Sequence, residues 1–229
     1  MADRDRRPRA FEEVLIQVER RIADDGLRVG DRLPGERQLA EQLRVSRSSV
    51  REALRVLETL GVVSSQAGRG PDAGAVLTSR PDGALTDLLR LSLSLSSLSP
   101  REVVETRLMI ERWSAEHAAR HGPGASAGPL AEALRAMETA ATAEEFVEHD
   151  IDFHVAIAEA SGNRLSAAVM RALRGAMRRY AIEAVERLGD TGVLREDHRR
   201  IHHAITSGDA AGAAEAVTVH LAHAYPELF

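Results

Sequence analysis

The sequence predicts a mostly α-helical protein, a winged helix-turn-helix at the N-terminus followed by an antiparallel all-α helical bundle. Three observations carry that reading. Apolar residues recur at helical spacing along most of the chain. Aromatic residues make up only 3% while alanine and leucine abound, a composition suited to packing helix on helix. One stretch, "VVSSQAGRGPDAGAVLT", reads instead as two short strands around a loop of glycine and proline. The expected division is a winged helix-turn-helix over 1–78, a linker and connecting helix over 79–99, and a helical domain over 100–229.

The elements follow in order. "FEEVLIQVERRIADDG" places Phe11, Val14, Leu15, Val18 and Ile22 on one helix face and ends at Gly26. Gly30 and Pro34 interrupt the chain before "GERQLAEQLR", a short helix with Leu39, Ala40 and Leu43 inward. Val45 and Ser46 make a tight turn, with Ser46 suited to cap the next helix. That helix, "RSSVREALRVLETLG", buries Val50, Leu54 and Leu57 and stops at Gly61; Ser48, Arg51 and Arg55 lie opposite, and Arg47 sits in the first turn. Two short helices joined by a tight turn, with Arg and Ser at the start of the second, form a helix-turn-helix, and the two strands after it form a wing. In "SRPDGALTDLLRLSLSLSSLSP" the Leu-Ser alternation mimics a strand, but a lone strand has no partner. A linker with a helix near 84–96 is expected instead. Ser99-Pro100-Arg101-Glu102 then opens a long helix with a capping box.

Bulk composition narrows the function. The 229 residues contain no cysteine, which removes disulfides and thiolate metal sites and suits a reducing cytoplasm. No apolar run is long enough to span a membrane, and the polar start "MADRDRRPR" lacks a signal-peptide core. The net charge of −5 argues against nucleic acid as a whole, yet it is uneven: residues 1–78 carry +1 and the remainder −6. Any nucleic-acid face therefore depends on where arginines are placed. All basic residues are arginine, which suits bidentate phosphate contacts.

The second half places polar groups on apolar faces. In "AEEFVEHDIDFHVAIAEASGN", Asp150 and His154 lie one turn apart, on the side of Phe146, Val147, Ile157 and Ala158; Glu145, Glu148, Asp152 and Glu159 fall opposite. His198 shares a face with Leu194, Ile201 and Ile205, and His220 with Ala213, Ala216, Val217 and Ala224. An inward carboxylate requires a partner. One inward His is usually a satisfied core residue, but three with a carboxylate suit a borderline divalent cation. Arg107 and Glu111 share the inward face of the helix after Ser99, either as a structural ion pair or with Arg107 awaiting an anion.

Two resemblances extend this reading. "LRVGDRLPGERQLAEQLRVSRSSVREALRVLETLGVV" resembles the winged helix of the GntR family of bacterial repressors. The resemblance implies DNA contacts by Arg37, by Arg47, Ser48 and Arg51 on the recognition helix, and by the wing tip Gly68, Arg69 and Gly70. Arg44 and Gly35 depart from the family's usual glycine and serine, and Ala67 stands where some relatives have histidine. "DIDFHVAIAEASGN", "DHRRIHHAI" and "VHLAHA" resemble the FCD domain of the FadR-like branch. This implies a metal held by Asp150, His154, His198 and His220, with His202 a rival ligand one turn from His198.

The expected protein is a cytoplasmic homodimer, a repressor that binds a palindromic double-stranded DNA operator. A small organic acid, with Arg107 and Asn163 as outer contacts, is expected to modulate it at a divalent metal, zinc ahead of manganese or nickel. One alternative is a metal-dependent enzyme in the helical domain, which has no evident general base beyond Glu111 and leaves the winged helix unexplained. Another is a structural or sensed metal without an organic effector.

Overall fold

The computed structural model describes residues 10–65, 74–78, 82–122 and 124–228. Contacts divide the chain into two compact units, Met1–Ala84 and Leu85–Phe229.

In the first unit, α1 (Ala10–Asp24), α2 (Glu36–Leu43) and α3 (Arg47–Thr59) precede β1 (Val63–Ser65) and β2 (Ala75–Leu77). Val14, Val18, Leu39, Ala40, Val50, Ala53, Leu57, Val63 and Leu77 form its core. Leu54 is only half-buried and Ala53 is buried instead, a rotation of α3 by part of a turn from the expected face. Ser46 caps α3 by accepting from the Ser49 backbone N–H at 3.1 Å. Arg44, in the turn, adopts φ 55°, a left-handed conformation that favours glycine. The strands pair antiparallel with Ser64 opposite Val76. The wing-tip residues Gly68, Arg69 and Gly70 lie outside the described residues.

The second unit contains most of α4 (Asp82–Ser94), then α5 (Pro100–His121), α6 (Ala127–Thr139), α7 (Ala143–Ala160), α8 (Arg164–Leu188), α9 (Gly192–Ser207) and α10 (Ala210–Ala224). The α4 helix is not a free linker, since Leu89 and Leu93 pack on the bundle core and Thr86 touches Gly175 of α8. Leu88, Leu91 and Leu95 remain exposed on its other side. Ser99 and Glu102 complete the capping box of α5, the Ser99 backbone N–H donating to the Glu102 carboxylate at 2.8 Å. Helix α10 packs against α5 and α9, and α7 against α6 and α8. The core they enclose includes Phe146, Phe153, Met137, Met177, Ile201 and Leu221. Among the described residues, no helix is long and apolar enough to cross a membrane.

Candidate functional site

The bundle interior is polar where α5, α7, α8, α9 and α10 converge. Asp150 and His154 on α7, His198 on α9 and His220 on α10 are all buried. Helical spacing turns each inward with the apolar stripe of its own helix, and packing brings the stripes together. One ligand atom from each of the four lies within 4.8 Å of every other. His154 Nε2 stands 3.2 Å from His220 Nε2 and 3.4 Å from His198 Nε2, and Asp150 Oδ1 lies 2.9 Å from His198 Nε2. Donors bound to one ion at about 2.0–2.1 Å are separated by about 3.0–3.4 Å. The donor set therefore fits a divalent cation on nitrogen and oxygen ligands.

The far sides of the imidazoles support this fit. His154 Nδ1 is 2.7 Å from Glu111 Oε2. A carboxylate at that distance holds a proton on Nδ1 and leaves the Nε2 lone pair facing the centre. Burial works to raise the Glu111 carboxyl, but Arg107, His154 and Arg174 together hold it well below the usual carboxylate range. Burial, then the neighbouring His154 and Arg174, hold His198 well below the usual histidine range. Burial, then His198 and His154, do the same to His220. Neutral imidazoles are the form that binds a metal.

Two guanidiniums lie in the same interior. Arg107 is fully buried; its Nε donates to Glu111 at 2.8 Å and its Nη1 to the Tyr225 hydroxyl at 3.1 Å. Arg174 of α8 donates to Asp150 Oδ2. Burial and then Arg107 push Arg174 down to about 10. Arg107 Nη2 and Arg174 Nε are buried without a hydrogen-bond partner among the described residues. Beside Arg174 a cavity lined by Asp150, Ala184, His220, Ala224 and Tyr225 among others keeps a free volume of about 20 Å³, room for one water.

The remaining expected residues are placed as follows. Asn163 does not join the cluster. It is exposed at the start of α8, where its Oδ1 accepts from the Leu165 and Ser166 backbone N–H groups, so the need to cap α8 uses that oxygen. It lines an open groove with Trp113, His121 and Leu165 instead. His202 is half-buried and outside the four-residue group. His203 and His223 are exposed.

Sequence reasoning missed Arg174, Asp197 and Tyr225. Arg174 falls on the apolar stripe of Met170, Met177 and Ala181, a signal that was present but hidden among the other arginines of α8. Asp197, buried beside His198, accepts from His223 Nδ1 at 2.8 Å and stands 3.9 Å from His220 Nδ1. Tyr225 follows the end of α10, where helical periodicity gives no direction.

In the first unit Arg37, Arg47, Ser48 and Arg51 are exposed. Arg51 pairs with Glu36 at 3.2 Å, and Arg37 stands 3.9 Å from Glu41. These are exposed ion pairs, which cost little to exchange for phosphate or base contacts. The Ser48 hydroxyl lies 2.8 Å from that of Ser46.

A helix-turn-helix with exposed arginines, joined in one chain to a helical bundle with a charged interior, defines a two-domain DNA-binding regulator. Two family models match: "Bacterial regulatory proteins, gntR family" over residues 11–71 and "FCD domain" over residues 102–223. A regulatory protein ascribed to the L-lactate dehydrogenase operon of Escherichia coli K12 is 31% identical over 219 residues, covering 93% of this chain and 84% of that protein. The transcriptional regulator Mce2R of Mycobacterium tuberculosis is 31% identical over 208 residues, covering 90% and 85%. The structure of a GntR protein from Streptococcus agalactiae has the same fold, with a TM-score of 0.66 at 24% identity over 95% of this chain and 99% of that one. The chain belongs to the GntR family of bacterial regulatory proteins, in the branch that carries an FCD domain. It is a transcriptional regulator and not an enzyme.

Proposed function

We propose that the protein is a cytoplasmic, dimeric repressor whose operator affinity is set by a small carboxylate bound at a divalent metal in the bundle. The observation that carries this reading is the buried group of four facing donors beside two guanidiniums with free N–H groups. Asp150, His154, His198 and His220 would hold the ion. With three nitrogen ligands, one carboxylate and no cysteine in the chain, zinc is favoured over manganese and nickel. When bound, the ion supplies charge and open coordination positions for an anionic oxygen ligand. Glu111 keeps the His154 proton on Nδ1, and Arg107 supplies a guanidinium suited to a carboxylate.

On the DNA side, Arg47, Ser48 and Arg51 would read base edges in the major groove, while Arg37 and the wing tip Gly68, Arg69 and Gly70 hold the backbone. Two copies would place their recognition helices in two half-sites of a palindrome. The exposed Leu88 and Leu91 of α4 and Leu95 just after it, spaced as an apolar seam, support pairing of two copies. An acid alters operator affinity only if it binds one arrangement of the dimer better than the other.

The test combines elemental analysis with selection from random duplexes. The expected outcome is about one zinc per chain, lost in His198→Ala and kept in His203→Ala, together with a palindromic selected site. A metal-free protein that cannot be reloaded ends the metal reading, and absence of sequence preference ends the operator reading.

A further inference from the structure

The buried cluster uses three of the nine histidines. Two of the others, His117 and His121, lie one turn apart on the outer side of α5. The Nδ1 atom of each is already committed. His117 Nδ1 is 2.8 Å from the Trp113 carbonyl, and His121 Nδ1 is 3.0 Å from the His117 carbonyl. A carbonyl only accepts, so each Nδ1 carries a proton and donates it. In the neutral ring the lone pair then lies on Nε2, where a metal binds. Neither Nε2 has a hydrogen-bond partner among the described residues.

The His117 ring is also held from its other side. It stacks on Trp113 with centroids 3.9 Å apart and planes 25° from parallel, which limits its rotation and lowers the ordering cost of binding. The His117 and His121 centroids are 6.2 Å apart, against 4.4 to 5.4 Å among the three buried imidazoles. His121 is exposed, so a small turn of its ring closes that difference. Both residues sit at the C-terminal end of α5, where unpaired carbonyls favour a cation. His121 also lines the open groove beside the start of α8, so an ion reaches it without displacing a wall. Ala118 follows His117, where the His-Glu-x-x-His arrangement of metalloproteases carries its general base. The pair can hold an ion but cannot run that chemistry.

We propose that His117 and His121 form a second, surface site for a borderline divalent cation, held through their two Nε2 atoms and otherwise hydrated. The pair shares no residue with the buried group of Asp150, His154, His198 and His220, and the proposal does not rest on that group holding a metal. Imidazole donors take copper ahead of nickel and zinc, whereas magnesium requires oxygen ligands. Two protein ligands make the site weak, of micromolar order, and exchangeable with the surroundings.

Trp113 is the single tryptophan of the chain, and its contact with His117 makes its fluorescence the reporter. The experiment incubates the protein with zinc, desalts it, and titrates it with cupric, nickel or magnesium ions. Zinc and added metal per chain are counted after each titration. Copper should quench Trp113 saturably at about one equivalent with the zinc content unchanged. Nickel should compete with it, and magnesium should have no effect. His121→Ala keeps the Trp113–His117 stack but removes one ligand, and loss of the chelate should weaken copper binding about tenfold or more. His203→Ala should match wild type. Paramagnetic resonance of the bound copper decides without any variant, since splitting by imidazole nitrogens is expected in wild type and its absence overturns the site. Equal quenching of wild type and His121→Ala overturns it too. Copper that enters only as zinc leaves has gone to the buried donors, and saturation only at millimolar copper is adventitious; either result removes the surface site.

Discussion

The two units hold the arginines of their candidate sites in opposite ways. In the first, the Arg37 side chain is 81% exposed, and Arg51 rests on Glu36 at the surface. In the second, Arg107 has no exposed surface and Arg174 almost none. An exposed charge is solvated wherever its helix face puts it, so its neighbours are incidental and exchangeable. A buried charge persists only with partners already in place, and those partners come from other helices. One unit therefore keeps its chemistry at the surface, where DNA reaches it. The other keeps it inside, among counter-charges that its own helices supply.

Exchanging the two kinds of charge breaks the comparison most directly. Glu111→Ala strands Arg107 and His154 without their shared carboxylate, and should destabilise the bundle by about 3–5 kcal/mol. Arg51→Ala should leave stability within about 1 kcal/mol and instead reduce operator affinity by about 1–3 kcal/mol. Denaturant melts and DNA titrations on both variants measure the four quantities. Equal stability losses would mean that burial does not separate the units.

Acid should act on the bundle first. His198 and His220 are both held well below the usual 6.5, mainly by burial. Unfolded, each takes up a proton near that value, whereas folded it stays neutral. Stability from this source is complete above pH 6.5 and is lost as pH falls, by up to about 1.4 kcal/mol per pH unit for each histidine. Residues 1–84 contain no histidine. Hydrogen exchange on metal-free protein between about pH 7 and pH 5 should show protection falling in α7, α9 and α10 while α1 and α3 hold. Parallel loss in both units would rule out protonation of the buried histidines as the cause.

The smallest effect should be shared. Ser46 caps α3 and Ser99 caps α5, each by accepting a backbone N–H at the helix start. Replacing either with alanine should cost about 1 kcal/mol, measured as a shift in the melt of its own unit. A much larger cost for Ser99→Ala would show that the buried charges of α5 amplify a local change.

The same difference governs what could be read without coordinates. The three helices of the first unit, the caps Ser46 and Ser99 and the wing strands were legible because each depends on residues within a few positions of one another, as Ser46 with Ser49 and Ser99 with Glu102 do. The inward facing of Asp150, His154, His198 and His220 was legible too, since each sits on an apolar stripe of its own helix. Asn163, expected as an outer contact of the acid, falls outside the cluster, its oxygen used by the backbone N–H groups at the start of α8.

The sequence by itself determined the helical class, the surface arginines of the recognition helix and the four inward donors, because periodicity within one helix specifies a direction. Only the tertiary structure decided where those directions meet. That Glu111 reaches from α5 to His154 on α7, that Arg174 on α8 holds Asp150, and that Tyr225 occupies a corner of Arg107 are contacts between residues up to 118 positions apart. Helical periodicity carries no information about which helix packs opposite, and in a buried site the opposite helix supplies the counter-charge.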